Sequence, residues 1–307
     1  MKSLPLALIV AGCLGSTPAF ALNILLGNDD GYEHANIRAL YQALKAQGHT
    51  VKIAAPFTDQ SARGGAFFFG RAVEVGQDSD PAFPDSYYLT TTEQGVCASA
   101  ECNGKNVDMR ISGTPVMAIL MGLKKVMPHP DLVIIGPNPG NNLGAINSAS
   151  GTFNAASVAL LNGVPSLAVS TDLKENNPHQ VARLVGQIVH SLDSHRQADG
   201  ALLPKGVGLN INFPPLAAIK GARLTRIGSY VPLEATYADD IGKLFPAAAG
   251  KPGITFQYTP AATAAQQDDE AVWLGQGFVT ISPFDATVPA PEVSTALKPL
   301  LALPFHP

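Results

Sequence analysis

The stretch Asn23-Ile24-Leu25-Leu26-Gly27-Asn28-Asp29-Asp30-Gly31 runs a short apolar segment into two adjacent carboxylates, and a helical pattern begins within a few residues. A strand that ends in polar residues ahead of a helix is how open α/β sheets build ligand sites. Neighbouring carboxylates repel, so a fold that keeps them side by side calls for a cation. Hard oxygen ligands favour Mg²⁺, Mn²⁺ or Ca²⁺ over softer metals. Asn, Asp and Gly are also the commonest turn formers. Taken alone, the stretch reads equally well as a turn and as a metal site.

Outward from it, strand and helix signals alternate. Ile37, Leu40, Tyr41 and Leu44 fall at helical spacing before Gly48, and Val51 to Ala55 reads as a second strand ending at Pro56. Residues 57–70 read as a Ser/Gly-rich loop, and 71–112 as a less regular polar stretch. Thr114-Pro115 opens a helix with proline at its first position. Leu132 to Ile135 is a continuous apolar strand of the kind buried on both faces. A small-residue helix from about Thr152 to Asn162, a strand at Leu167 to Ser170, an amphipathic helix over Val181 to Leu192 and a strand at Val207 to Ile211 follow. This β-α alternation predicts an α/β fold with a mostly parallel, doubly wound, Rossmann-like sheet. From about Gly221 the pattern changes to strand-like segments at 222–227, 254–258 and 278–282, then a Pro-rich tail with a short helix near Val293 to Leu297.

Residues 1–21 read as a secretory signal peptide: Lys2, an apolar Leu4 to Leu14, and Ala19-Phe20-Ala21 as the cleavage site. That predicts a periplasmic or secreted protein beginning at Leu22. A rival reading takes Val10-Ala11-Gly12-Cys13 as a lipoprotein box with Cys13 lipidated. The division expected is therefore 1–21 as signal peptide, 22–220 as the α/β core and 221–307 as C-terminal strands and tail of the same domain. A formal net charge of −4 with no long Lys/Arg run gives no footprint for a nucleic-acid polymer. No apolar run after residue 21 is long enough to span a membrane. Cys97 and Cys102 remain as an even pair in an exported chain and predict a local disulfide. No further Cys or paired His accompanies them to complete a zinc set.

The polar ends of the expected strands should converge on one sheet edge. They bring Asp29 and Asp30, the loop Asp59-Gln60-Ser61-Ala62-Arg63-Gly64-Gly65, the loop Gly136-Pro137-Asn138-Pro139-Gly140-Asn141-Asn142-Leu143-Gly144, and the helix start Ser150-Gly151-Thr152. Free N–H groups and the dipole at such a helix start suit a phosphate. Each member has a plainer use: Asn138 as a turn residue, Ser61 as a loop serine, Thr152 as a cap. Together they suggest metal-assisted phosphate-ester hydrolysis. Seven histidines are present without an H-x-x-x-H pair, and neither a G-x-S-x-G elbow nor a P-loop occurs.

These motifs resemble those of the SurE family, the "survival protein" 5'/3'-nucleotidases. The likeness continues in Ser112-Gly113-Thr114-Pro115, Ser150-Gly151-Thr152-Phe153-Asn154-Ala155-Ala156, Leu209-Asn210-Ile211-Asn212-Phe213-Pro214 and Gly277-Phe278-Val279-Thr280-Ile281-Ser282-Pro283, in family order over nearly the whole mature chain. The resemblance implies a three-layer α/β/α sandwich with C-terminal extensions exchanged between subunits of a homodimer or tetramer. It implies one divalent ion, Mg²⁺ or Mn²⁺, held by Asp29, Asp30, Ser61 and Asn138. Phosphate contacts are implied from Asn138, Asn142, Ser150, Gly151 and Thr152, with nucleoside 5'- and 3'-monophosphates as substrates. Asp29 and Asp30 are the candidate catalytic pair, with Asp29 expected as nucleophile or as the base that orients a water.

Departures touch the pocket's neighbours. Gly27 stands where the family usually has Ser, His34-Ala35-Asn36 where it has Ala-Pro-Gly, and Ser61-Ala62 where it has Ser-Gly. The usual Ser-Gly-Ile-Asn reads Ile135-Gly136-Pro137-Asn138. Haloacid-dehalogenase-type phosphatases space their aspartates D-x-D, unlike the adjacent pair here. A periplasmic binding protein holding a phosphate ester without turnover is the competing class, and metal-dependent phosphate release separates the two.

Overall fold

A computed structural model of the chain describes residues 21–94 and 110–287. The signal peptide up to residue 20, Cys97 and Cys102, and the Pro-rich tail from 288 lie outside the described residues.

In chain order the elements are β1 (Asn23–Gly27), α1 (Ala35–Ala46), β2 (Thr50–Pro56), β3 (Val73–Gln77), β4 (Ser86–Gln94), β5 (Arg110–Ser112), α2 (Pro115–Met121), β6 (Leu132–Pro139), α3 (Gly151–Leu161), β7 (Ser166–Thr171), α4 (Pro178–Ser194), β8 (Gly208–Asn212), β9 (Gly221–Leu224), β10 (Leu233–Ala238), β11 (Gly253–Tyr258), α5 (Glu270–Gly275) and β12 (Phe278–Phe284). Their starts obey local chemistry. Thr114 caps α2 by accepting from the Met117 N–H, with Pro115 following, and Ser150 caps α3 by accepting from the Phe153 N–H.

The strands form one sheet in the order β3-β4-β2-β1-β6-β7-β8-β12-β9, with β5 added on β4. From β4 to β8 every neighbour pair is parallel. β3 and β5 join β4 antiparallel, and β12 joins β8 antiparallel. Alternate side chains of β1 feed opposite layers, as strand geometry requires. Ile24 and Leu26 are buried with Ile37, Leu40 and Leu44 of α1 and Val181, Val185 and Val189 of α4. Leu25 is buried on the other face with Val116 and Ile119 of α2 and Ala155, Ala156 and Ala159 of α3. The result is the α/β/α sandwich expected.

Residues 71–94 carry more regular structure than their composition predicts. β4 pairs with β2 from Ser86 to Leu89, so the parallel sheet extends through it. Tyr and Thr favour pleated surfaces, and a strand made of them lacks the apolar alternation that marks a strand in sequence. β10 and β11 form a separate antiparallel hairpin, and β9 and β12 belong to the main sheet.

From β1 the chain winds to β2 and β4 on one side, then restarts at β6 on the other. The gap beyond β1 and β6 is the topological switch point where open α/β sheets hold ligands. Asp29 and Asp30 leave β1 there, and Asn138 lies at the end of β6.

Candidate active site

Asp29 is 3% exposed and sits against the start of α3. The Thr152 hydroxyl donates to Asp29 Oδ1 at 2.7 Å. Glycine at 151 makes that approach possible: a Cβ there would lie 2.7 Å from Asp29 Cβ and 2.9 Å from Oδ2. The anion seated at this helix N-terminus is thus Asp29 itself. Burial pushes its pKa up, the Thr152 hydrogen bond holds it down, and the charge of nearby Asp59 raises it further.

Asp30 has no such support. Burial, then the negative charges of Asp29 and Asp59, push its carboxyl up to about 8. Its Oδ2 is buried with no hydrogen-bond partner, and so is Asn28 Oδ1. Buried oxygens without donors, next to like charges, are costly unless a cation compensates them. This donor set fits a hard divalent ion. Among the described residues no group of three or more His, Cys, Asp or Glu side chains is placed to hold a metal. An ion here would therefore rest on two carboxylates supplemented by neutral oxygens.

The other expected members differ in how they are held. The loop carrying Ser61 is fastened to the pair, because the Gln60 N–H donates to the Asp29 carbonyl at 2.7 Å. Ser61 is exposed, and its N–H donates to Asp59 Oδ1 at 2.8 Å. Asn138 is half-buried at the end of β6, where the register shifts after Ile135, and its Nδ2 donates to the Gly140 carbonyl at 2.7 Å. Asn142 lies deeper: its Nδ2 donates to Ser170 Oγ, and its carbonyl accepts from Asn210 and Asn212. The Ser150 hydroxyl caps its own helix, accepting from the Phe153 N–H at 3.0 Å. The Ser150 and Thr152 hydroxyls and the Phe153 N–H at this turn are thus already engaged.

Three contributors were not foreseen. Asp59 adds a third negative charge; its proximity to Ser61 was the available signal. Asn36 Nδ2 donates to the Pro137 carbonyl at 2.9 Å, tying the start of α1 to the end of β6. No local pattern announces that bond, since its ends are 101 residues apart. His34 caps α1, and burial pushes its imidazole pKa down. The missing side chain at Gly27 is filled by Ile119, whose Cδ1 would lie 2.5 Å from a Cβ there.

A cavity of about 680 Å³ opens farther along the same edge, past the ends of β6, β7 and β8, lined in part by Asn141, Asp172, Pro214, Lys220 and Leu274. The acid pair does not line it.

Residues 24–232 match the family model described as survival protein SurE. The chain is 30% identical over 284 residues to a protein named 5'-nucleotidase SurE from Pelotomaculum thermopropionicum, covering 91% of this chain and 95% of that one. It is 31% identical over 209 residues to an acid phosphatase of Yarrowia lipolytica, covering 62% of this chain and 56% of that one. The crystal structure of the SurE protein from Aquifex aeolicus superposes with a TM-score of 0.68 at 26% identity, covering 91% of this chain and 99% of that chain.

Proposed function

Because this chain belongs to the survival protein SurE family, we propose that it is a divalent-metal-dependent nucleotidase that hydrolyses nucleoside 5'- and 3'-monophosphates to nucleoside and phosphate. The observation that carries the reading is the buried, unpartnered Asp30 Oδ2 beside Asp29, at the switch point of the sheet and the start of α3. Asp29, Asp30, Ser61 and Asn138 would hold one Mg²⁺ or Mn²⁺. When bound, such an ion polarises a phosphoryl oxygen and offsets its charge.

The chain's own groups do the rest. The Gly151 N–H at the start of α3 and the Asn138 amide would receive the phosphate, with Asn142, whose amide is engaged by Ser170, fixing the loop behind them. Asp29, oriented by Thr152, serves the attack on phosphorus, as nucleophile or as base for a water. As base, Asp29 takes a proton from a water whose oxygen bonds to phosphorus as the ester P–O bond breaks. As nucleophile, its carboxylate oxygen forms that bond, and a water then cleaves the acyl phosphate to release phosphate. On either route the nucleoside oxygen leaves with a proton from solvent. An acid-quenched phospho-aspartyl adduct separates nucleophile from base.

Export after cleavage at Ala21, a Cys97–Cys102 disulfide and subunit assembly through the C-terminal segments complete the proposal. Among the described residues no helix is long and apolar enough to cross a membrane. Phosphate release from AMP and 3'-AMP, with Mn²⁺ and with EDTA, is the test. Metal-dependent release is the expected result; binding of AMP without turnover would mark a binding protein instead.

A further inference from the structure

Phe67, Phe68 and Phe69 stand in the loop between β2 and β3. The residues just before them are fastened around the acid pair at three points. Gln60 N–H donates to the Asp29 carbonyl at 2.7 Å, and Gly64 N–H to the Ala149 carbonyl at 3.0 Å, two residues before Gly151. The Thr114 hydroxyl, at the start of α2, donates to the Ala66 carbonyl at 2.6 Å. The next side chain, Phe67, packs on the apolar layer of α2 and α3. Phe69 stacks on it, ring centroids 5.4 Å apart and planes 19° from parallel, yet Phe69 is 88% exposed.

A phenyl ring left in water forgoes the stabilisation of burial, and here it is held flat by a ring beneath it. A fixed aromatic face accepts any nucleobase, because every base has a π-face. We infer that Phe69, backed by Phe67, stacks on the base of the nucleotide whose phosphate enters the acid-pair site. The inference rests on the nucleotidase reading above and adds a residue that sets preference for nucleotides over base-free phosphate esters.

The test compares AMP with ribose 5-phosphate, which lacks the base, in the full chain with Mn²⁺. Both equilibrium binding and turnover are measured for the wild type, Phe69→Ala and Phe69→Trp. Phe69→Ala should raise the KM and Kd for AMP about tenfold, the scale of one stacked base. Its kcat for AMP and its handling of ribose 5-phosphate should stay as in the wild type, and Phe69→Trp should restore AMP affinity. Unchanged AMP affinity in Phe69→Ala overturns the inference, as does an equal loss for both ligands. A change of oligomeric state with AMP affinity intact also overturns it, assigning the ring to a subunit contact. So does loss of AMP affinity on filling the neighbouring cavity with Leu274→Trp while Phe69→Ala is silent. If the wild type binds AMP without hydrolysing it, the nucleotidase reading falls, and the binding data still decide the role of Phe69.

Discussion

Asp30 and Glu270 are both carboxylates taken out of water, but the chain treats their oxygens in opposite ways. Glu270, 0% exposed at the start of α5, receives the Gly144 N–H on Oε1 at 3.1 Å and the Ser282 hydroxyl on Oε2 at 2.8 Å. Asn210 Nδ2 reaches both oxygens, at 3.2 and 3.0 Å. It fastens the loop after β6 to β8 and β12. Asp30 instead has a buried oxygen with no donor and two carboxylates for neighbours. A satisfied buried acid is an internal clamp, whereas an unsatisfied one beside like charges is a site prepared for a cation. The two differ in their donors as well as in depth, Asp30 being half-buried and Glu270 fully buried.

The largest effect expected on this contrast is at the pair. Asp30→Asn should lower phosphate release from AMP by about a thousandfold or more, as loss of a group required in the transition state does. Its metal-free melting temperature should not fall, since the change removes repulsion rather than a bond. A destabilised Asp30→Asn would show that the Asp30 carboxylate is held by bonds, as Glu270 is. Glu270→Ala should do the reverse, lowering stability by about 3 kcal/mol because several buried donors lose their acceptor, as read by denaturant unfolding.

Thr152→Val comes next. It removes the hydroxyl that orients Asp29, and kcat should drop about tenfold or more while the fold survives; unaltered kcat would deny that hydroxyl an orienting role. A last effect is in pH. Burial raises the Glu270 carboxyl from 4.5 to about 7. The folded chain therefore keeps a proton there that the unfolded chain releases. The stability due to that proton is full below about pH 4.5, declines as pH rises, and is gone above about 7. In Glu270→Gln, which cannot titrate, the melting temperature should lose that part of its decline between pH 4.5 and 7. An unchanged profile would assign the decline to other groups.

Asp29-Asp30 was legible in sequence because adjacency itself is informative: two like charges beside a strand end need a reason. The strands flanking them were legible for the same local cause, Leu25 and Leu132 to Ile135 being apolar without a break. β4 was not, since Ser86-Tyr87-Tyr88-Leu89-Thr90-Thr91 hides its alternation among polar side chains. Nor was the Glu270 clamp, whose donors Gly144 and Asn210 are 126 and 60 residues away. Thr152 was visible as a residue of the right kind at a helix start. That its hydroxyl serves Asp29, however, depends on Gly151 letting the helix end close on β1, which only the fold supplies.

The activity proposed for this chain turns on the unpartnered Asp30 oxygen beside Asp29 holding a divalent ion. Calorimetric titration of Mn²⁺ into the wild type and Asp30→Asn tests it without any substrate. The expected result is one ion per chain in the wild type and binding weaker by about a hundredfold in the variant, the order seen when a metal site is damaged. Equal binding by both proteins, or none by the wild type, would contradict it.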